Sequence, residues 1–253
     1  MKNKYLSKFY GLIVITILWY LLSLFLGNGL IPYPHDVWLH LLTITANGSI
    51  VPHIIYSLFR LLSAIGFALI IGVPIGLIIG SSAKTDQWFS PILYILYPIP
   101  KIAFLPVFMA LFGLGDFSKI ILLFSVLIFQ IILATRDGVK QIPIEFHHVT
   151  HTLELSKKDK LLKLYLPHAL PNIFSALRIS IGISMAVLFF GENYATAYGI
   201  GYYIMNNWIM VNYEGMFAGI VSLSLMAAFL IYLIDVIQKK ICPWLTYEKR
   251  HKI

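Results

Sequence analysis

The chain has 253 residues, 59% of them apolar and only 12% charged, with a net charge of +8 and a mean hydropathy of +0.82. Soluble domains run at about 45–50% apolar and about 25% charged, so this composition excludes an ordinary soluble protein and implies an integral membrane protein. The single cysteine, Cys242, excludes an internal disulfide, and the basic residues cluster in alternate loops, a mark of membrane topology rather than nucleic-acid binding.

A helix needs roughly 20 apolar residues to cross a hydrocarbon core of about 30 Å. That criterion predicts six spans, at about 9–27, 54–80, 88–113, 117–135, 173–191 and 215–238. The first follows Lys2, Lys4 and Lys8 and is longer than the apolar core of a signal peptide. With no A-x-A-like site after it, it reads as an uncleaved helix. Span two carries Gly66, Gly72, Gly76 and Gly80, and the last three form overlapping GxxxG units suited to close helix packing. Gly182, with Ser180 and Ser184, suggests the same for span five.

Span three, WFSPILYILYPIPKIAFLPVFMALFG, contains Pro91, Pro98, Pro100 and Pro106. Proline removes a backbone donor and clashes with the preceding turn, so a break is expected here. Unwound backbone at membrane depth survives only in contact with protein or a watery cavity. Lys101 follows the Pro98–Pro100 break directly, and Arg60 lies in span two. Intramembrane charges are functional candidates by default, although outward snorkelling is the ordinary alternative. Arg178 lies where it can snorkel, and Lys119 runs mildly against the charge rule.

Between Asp137 and Arg178 lies the longest polar interval, with Lys140, Lys157, Lys158, Lys160 and Lys163. It cannot cross a bilayer. Fifteen of the nineteen basic residues fall on the side that holds this loop and both termini, which predicts that this side is cytoplasmic. His147, His148 and His151 crowd one stretch of it, but no carboxylate or cysteine set accompanies them, so no metal site is assigned. On the other side, the segment from Glu192 to Tyr213 has Gly199, Gly201 and a run of aromatic residues, which predicts a short interfacial or re-entrant helix. Glu192 stands where span five ends. There is no G-x-x-x-x-G-K-[ST], H-E-x-x-H or G-x-S-x-G, and no catalytic residue or cofactor is assigned.

The polar loop resembles the EAA loop of ABC-importer permeases. Counting back from Leu166-Pro167 puts His148, Val149 and Thr150 at E-A-A and Glu154 at the motif's glycine, with Leu155 and Ser156 following. LIPYPHDV, the glycine-rich span two, PIPKIAFLPVFMALFGLGDFSKI and GIGYYI are similar to the branch that imports nitrate, sulfonates, taurine, bicarbonate or thiamine-precursor pyrimidines. The resemblance implies an all-α, polytopic fold of the type I importer permease (MetI-like) architecture, with one transmembrane domain over 1–253 and a coupling loop at 137–171. It implies ATPase coupling through His148, Val149, Thr150, Thr152, Leu153, Glu154, Leu155 and Ser156. Pathway candidates are Arg60, Pro98, Pro100, Lys101 and Glu192. The implied partners are ATP-binding cassette ATPases, an extracytoplasmic binding protein, a second or related permease and the lipid bilayer, with no nucleic acid. The implied setting is a bacterial cell membrane, and the solute an anion such as nitrate, sulfonate or taurine, or a thiamine-precursor pyrimidine. Two departures stand out, His148 for the motif's glutamate and Glu154 for its glycine, a position that suits positive φ. The alternative is an ATP-independent secondary transporter or channel. That reading expects inverted repeats, which the sequence does not display.

Overall fold

The computed structural model describes residues 2–26 and 30–245. The basic tail residues Lys249, Arg250 and Lys252 lie outside it, as do the side chains of Lys2, Lys4, Lys8 and His151. The described residues form helices α1 (Lys2–Leu26), α2 (Pro34–Ala46), α3 (Val51–Ser81) and α4 (Ala83–Leu96), then a 3-10 turn (Lys101–Phe104). These are followed by α5 (Leu105–Phe112), α6 (Asp116–Lys140), α7 (Ile144–Thr152), α8 (Lys157–Lys160) and a π turn (Leu161–Tyr165). Last come α9 (Leu166–Glu192), α10 (Ile200–Ile209) and α11 (Tyr213–Ile241).

Four stretches are long and apolar enough to cross a membrane: α3, α6, Lys157–Glu192 and α11. A fifth is the pair α4 and Lys101–Phe112, bent by 77°. The apolar part of α1, Tyr10–Leu26, is shorter. Six expected spans are consistent with this set, and the sharp bend is where the prolines of span three predicted a break.

The chain divides into two compact units, residues 1–57 with 192–225, and residues 58–191 with 226–253. In the first unit, α2 begins with Pro34, which tolerates the first helical turn because its missing donor is unpaired there anyway. Val37, Leu41 and Ile44 fall on one helical face and pack with Ile50 and Ala218. At 13 residues α2 is too short to span; the sequence suggested only a loop there. Ser23 Oγ and Trp19 Nε1 both donate to Pro32 O, tying α1 to the turn before α2.

In the second unit, α3 and α6 meet along a seam of glycines. A Cβ at Gly76 would stand 2.5 Å from Thr135 Cβ and 2.7 Å from Ile132 O, and one at Gly80 2.9 Å from Arg136 O. Only a hydrogen side chain permits this approach. The small residues of α9 behave differently. Gly182 faces open space, while Ser180 and Ser184 are buried, so the packing expected at Gly182 is not made among the described residues. Arg178 does not simply snorkel: its guanidinium donates to Asp235 (3.0 Å) and Gln238 (2.6 Å) of α11.

Candidate functional site

The polar loop is two short helices joined by a tight turn. α7 ends at Thr152, and Leu155 N–H donates back to Thr150 O at 3.2 Å. Glu154 between them takes φ +49°. A donor returning five residues back across one left-handed residue is the Schellman way of closing a helix. Glycine is the usual occupant, since a Cβ in this conformation costs about 1–2 kcal/mol. The departure at Glu154 therefore falls on the one residue whose backbone favours glycine. The next helix starts at once: Ser156 Oγ accepts from Asp159 N–H at 3.1 Å, and Lys163 pairs with Asp159 at 2.6 Å.

The expected coupling residues divide by exposure. Thr150 is buried, with its hydroxyl on His147 O, and Leu155 is half-buried. His148, Val149, Thr152, Leu153, Glu154 and Ser156 face outward. Val149 and Leu153 are four apart on one helical face, 54% and 64% exposed, with Ile144 and Phe146 exposed nearby. Four large apolar side chains are thus exposed on this polar loop, and exposed apolar patches commonly mark interaction sites. Its two feet are joined. A Cβ at Gly138 would meet Ala169 Cα at 2.7 Å, and Asn172 Nδ2 donates to Gln141 Oε1 at 3.2 Å. The sequence did not single out Gly138, though its place at the end of an apolar helix was a signal.

Within the histidine stretch His147 has a ring contact and His148 is exposed. His147 lies 5.9 Å from the Tyr165 ring, and Phe146 meets His168 edge-on at 5.1 Å. Among the described residues no group of three His, Cys, Asp or Glu gathers to hold a metal. The π turn directly precedes Leu166-Pro167. Pro167 cannot donate to the carbonyl four residues back, so the widened coil lies where the ladder loses a bond; such turns recur at functional sites.

The pathway candidates separate as well. Pro98 and Pro100 are exposed at the 77° bend. Lys101 Nζ donates to the carbonyls of Leu96 (2.6 Å), Tyr97 (3.3 Å) and Ile99 (2.9 Å), and lies 4.8 Å over the Phe129 ring. The proline break orphans carbonyls at the end of α4, and the lysine just past it satisfies them. Lys101 also lines a cavity of about 350 Å³ with Tyr97, Phe129, Gln130, Ile183 and Phe190. Gln130 Oε1 accepts from Ser180 of α9.

Arg60 is buried, and its guanidinium donates to Asp116 Oδ1 at 2.8 and 2.6 Å, at the start of α6. Lys119, also buried, donates to Leu114 O and Gly115 O. Charge at those positions is therefore spent inside the fold. Glu192 is fully buried and accepts from Ser57 and Gly201. A further ionic cluster was not legible in the sequence: Asp86 binds Arg136 and, at 2.8 Å, Lys140, while Arg136 also reaches Asp137 and Tyr94.

Helices long and apolar enough to cross a membrane, one broken span with a cavity at the break and a polar helical loop fit a polytopic membrane subunit. The comparisons specify it further. The chain belongs to the family of binding-protein-dependent transport system inner membrane components, which matches residues 72–247, and it is a permease subunit of an ABC importer. It is similar to the taurine transport system permease protein of Escherichia coli (strain K12), 28% identical over 92% of this chain and 86% of the relative. The putative aliphatic sulfonates transport permease protein of Bacillus subtilis (strain 168) is 28% identical over 85% and 78%. The nitrate import permease protein of Leptolyngbya laminosa is 31% identical over 71% and 65%. In fold it resembles a chain of the MetNI methionine ABC transporter in an inward-facing conformation, with a TM-score of 0.62 and 20% identity over 77% of this chain and 94% of that one.

Proposed function

We propose that this permease, a single transmembrane domain over residues 1–253, passes a small oxyanion or sulfonate across the bacterial cell membrane, powered by ATPase subunits docked on the 137–171 loop. The observation that carries the reading is the exposed apolar surface at the end of α7, Val149 and the following Leu153 above all, on a loop whose feet are clasped at Gly138 and Ala169. Such a loop is stiff enough to pass a push into α6 and α9. The loop and both termini are cytoplasmic, by the excess of lysine and arginine on that side. A second permease copy or a relative completes the pathway, and an extracytoplasmic binding protein delivers the solute. With no phosphate-binding loop in the sequence, ATP is hydrolysed by the partner.

The named relatives handle taurine, aliphatic sulfonates and nitrate, which share an anionic oxygen group. Lys101 supports this class. Its hydrogens are directed at carbonyls, so its charge biases the cavity toward anions without a direct bond that would hold the solute. A pathway needs that weakness. Pro98 and Pro100 set the bend, and Arg60 with Asp116 ties α3 to the start of α6.

The test is disulfide cross-linking in membranes on a Cys242→Ser background. Burial pushes the native Cys242 thiol up from its ordinary range, so removing it takes away little reactivity. Cysteines replace His148, Leu153 and, as an exposed control, Trp208, and candidate ATPases carry one beside their docking groove. Adducts at 148 and 153 but not at 208 are expected. A stably expressed protein that forms no adduct with any ATPase would return the ATP-independent reading to the front.

A further inference from the structure

α10 has ten residues, a length of about 15 Å, half of what a span requires. Its first turn is buried: Ile200 is fully enclosed and Gly201 nearly so. The opening N–H groups of a helix have no partner within it, and in a buried setting each must find one elsewhere. Gly199, at the cap position, has no side chain to offer. The partners arrive from two other elements. Ile200 N–H donates to Ser57 Oγ at 2.8 Å, and Gly201 N–H to Glu192 Oε2 at 2.8 Å. Ser57 Oγ–H in turn is shared between both oxygens of Glu192, at 2.8 Å each. Gly199 N lies 3.1 Å from His53 Nδ1.

Three consecutive backbone N–H groups thus end on three side chains. His53 and Ser57 are four apart, hence on one face of α3, and Glu192 closes α9. The carboxylate is the keystone, because it accepts from the helix directly and also orients the serine that accepts from the residue before. A negative group at a helix start is stabilised further by the peptide dipoles. The other end of α10 has its own fastening: Asn212 Nδ2 donates to Asn207 Oδ1 at 2.8 Å, and a Cβ at Gly219 would meet Ile204 at 2.7 Å.

We propose that Glu192 is a positioning residue of the permease. Its carboxylate, acting directly and through Ser57, holds the non-spanning helix α10 against the first turns of α3. Glu192 therefore touches no solute and acts through the helix it fixes. The inference rests on this hydrogen-bonded set within one compact unit, independently of how the 137–171 loop docks.

The test uses the full-length chain in native membranes, Cys242→Ser, with single cysteines read by the rate of fluorescein-maleimide labelling after permeabilisation. Ile204→Cys, 5% exposed, reports on α10, and Ile131→Cys, 0% exposed, reports on the α3–α6 seam. Adding Glu192→Ala should speed labelling at position 204 at least tenfold and leave position 131 unchanged. Glu192→Gln keeps an oxygen for Gly201 N–H and should restore most of the protection. Ser57→Ala, which leaves the carboxylate in place, should give an intermediate rate. Unchanged labelling at 204 with Glu192→Ala would overturn the proposal. So would equal gains at 204 and 131, which would mean general loosening, or a Glu192→Gln rate as high as that of Glu192→Ala.

Discussion

The glycine seam between α3 and α6 and the turn at Glu154 both depend on glycine geometry, and they resolve it in opposite ways. At the seam, glycine stands wherever backbone meets backbone, at Gly76 and Gly80. At the turn, the backbone is one that glycine favours, yet Glu154 occupies it at φ +49°. The seam is closed on itself, with no gap for a partner. The turn lies on an exposed loop that shows Val149 and Leu153 to whatever covers it. A region that satisfies itself is under packing constraint at every atom, whereas an exposed loop escapes most of those constraints.

Substitutions at five positions break or sharpen that contrast. The largest effect is expected from Gly76→Val, which forces a side chain into Thr135 and the Ile132 carbonyl. It should cost about 3 kcal/mol in thermal unfolding of the purified chain. Gly66→Ala, where a Cβ meets nothing within 4 Å, should stay within about 0.5 kcal/mol. Next comes Lys101→Met, which leaves the carbonyls of Leu96, Tyr97 and Ile99 without their donor. A loss of about 1–3 kcal/mol in the same assay is expected, with Lys101→Arg recovering most of it.

On the loop, Leu153→Asp should leave unfolding unchanged to within about 0.5 kcal/mol. Binding of the ATPase partner, measured by co-purification titration, should weaken about tenfold, or roughly 1.4 kcal/mol. If stability falls as well, Leu153 belongs to the fold and not to a docking face. The smallest effect is a gain. Glu154→Gly relieves the left-handed strain but frees the unfolded chain, for a net stabilisation of about 0.5–1 kcal/mol. A loss on that substitution would show that the Glu154 side chain has a partner of its own.

Much of the architecture was legible in residue order alone. The apolar blocks marked the spans, because a helix must satisfy its own backbone in lipid and reveals itself by length. Pro98 and Pro100 announced the bend, and Gly72, Gly76 and Gly80 a close contact. The position of Glu154 in the loop motif pointed to positive φ. The weaker readings concerned charge. Lys101, Arg60 and Glu192 were read as pathway candidates and Lys119 as a mild exception to the charge rule, because hydropathy cannot tell a charge that faces water from one that is spent on the fold. Lys101 and Lys119 cap carbonyls, Arg60 pairs with Asp116, and Glu192 caps α10.

Sequence by itself determined the solvent of this protein, where one of its long helices breaks and which loop cannot cross the bilayer. These properties are local: they follow from apolar length, proline chemistry and charge asymmetry within short windows. Only the tertiary structure decided which helix the glycines meet, that Gly138 clasps Ala169, and that His53, Ser57 and Glu192 converge on one helix start. Ser57 and Glu192 lie 135 residues apart in the chain. A hydrogen bond joining positions that distant depends on how whole helices pack, and no periodicity along the chain encodes it.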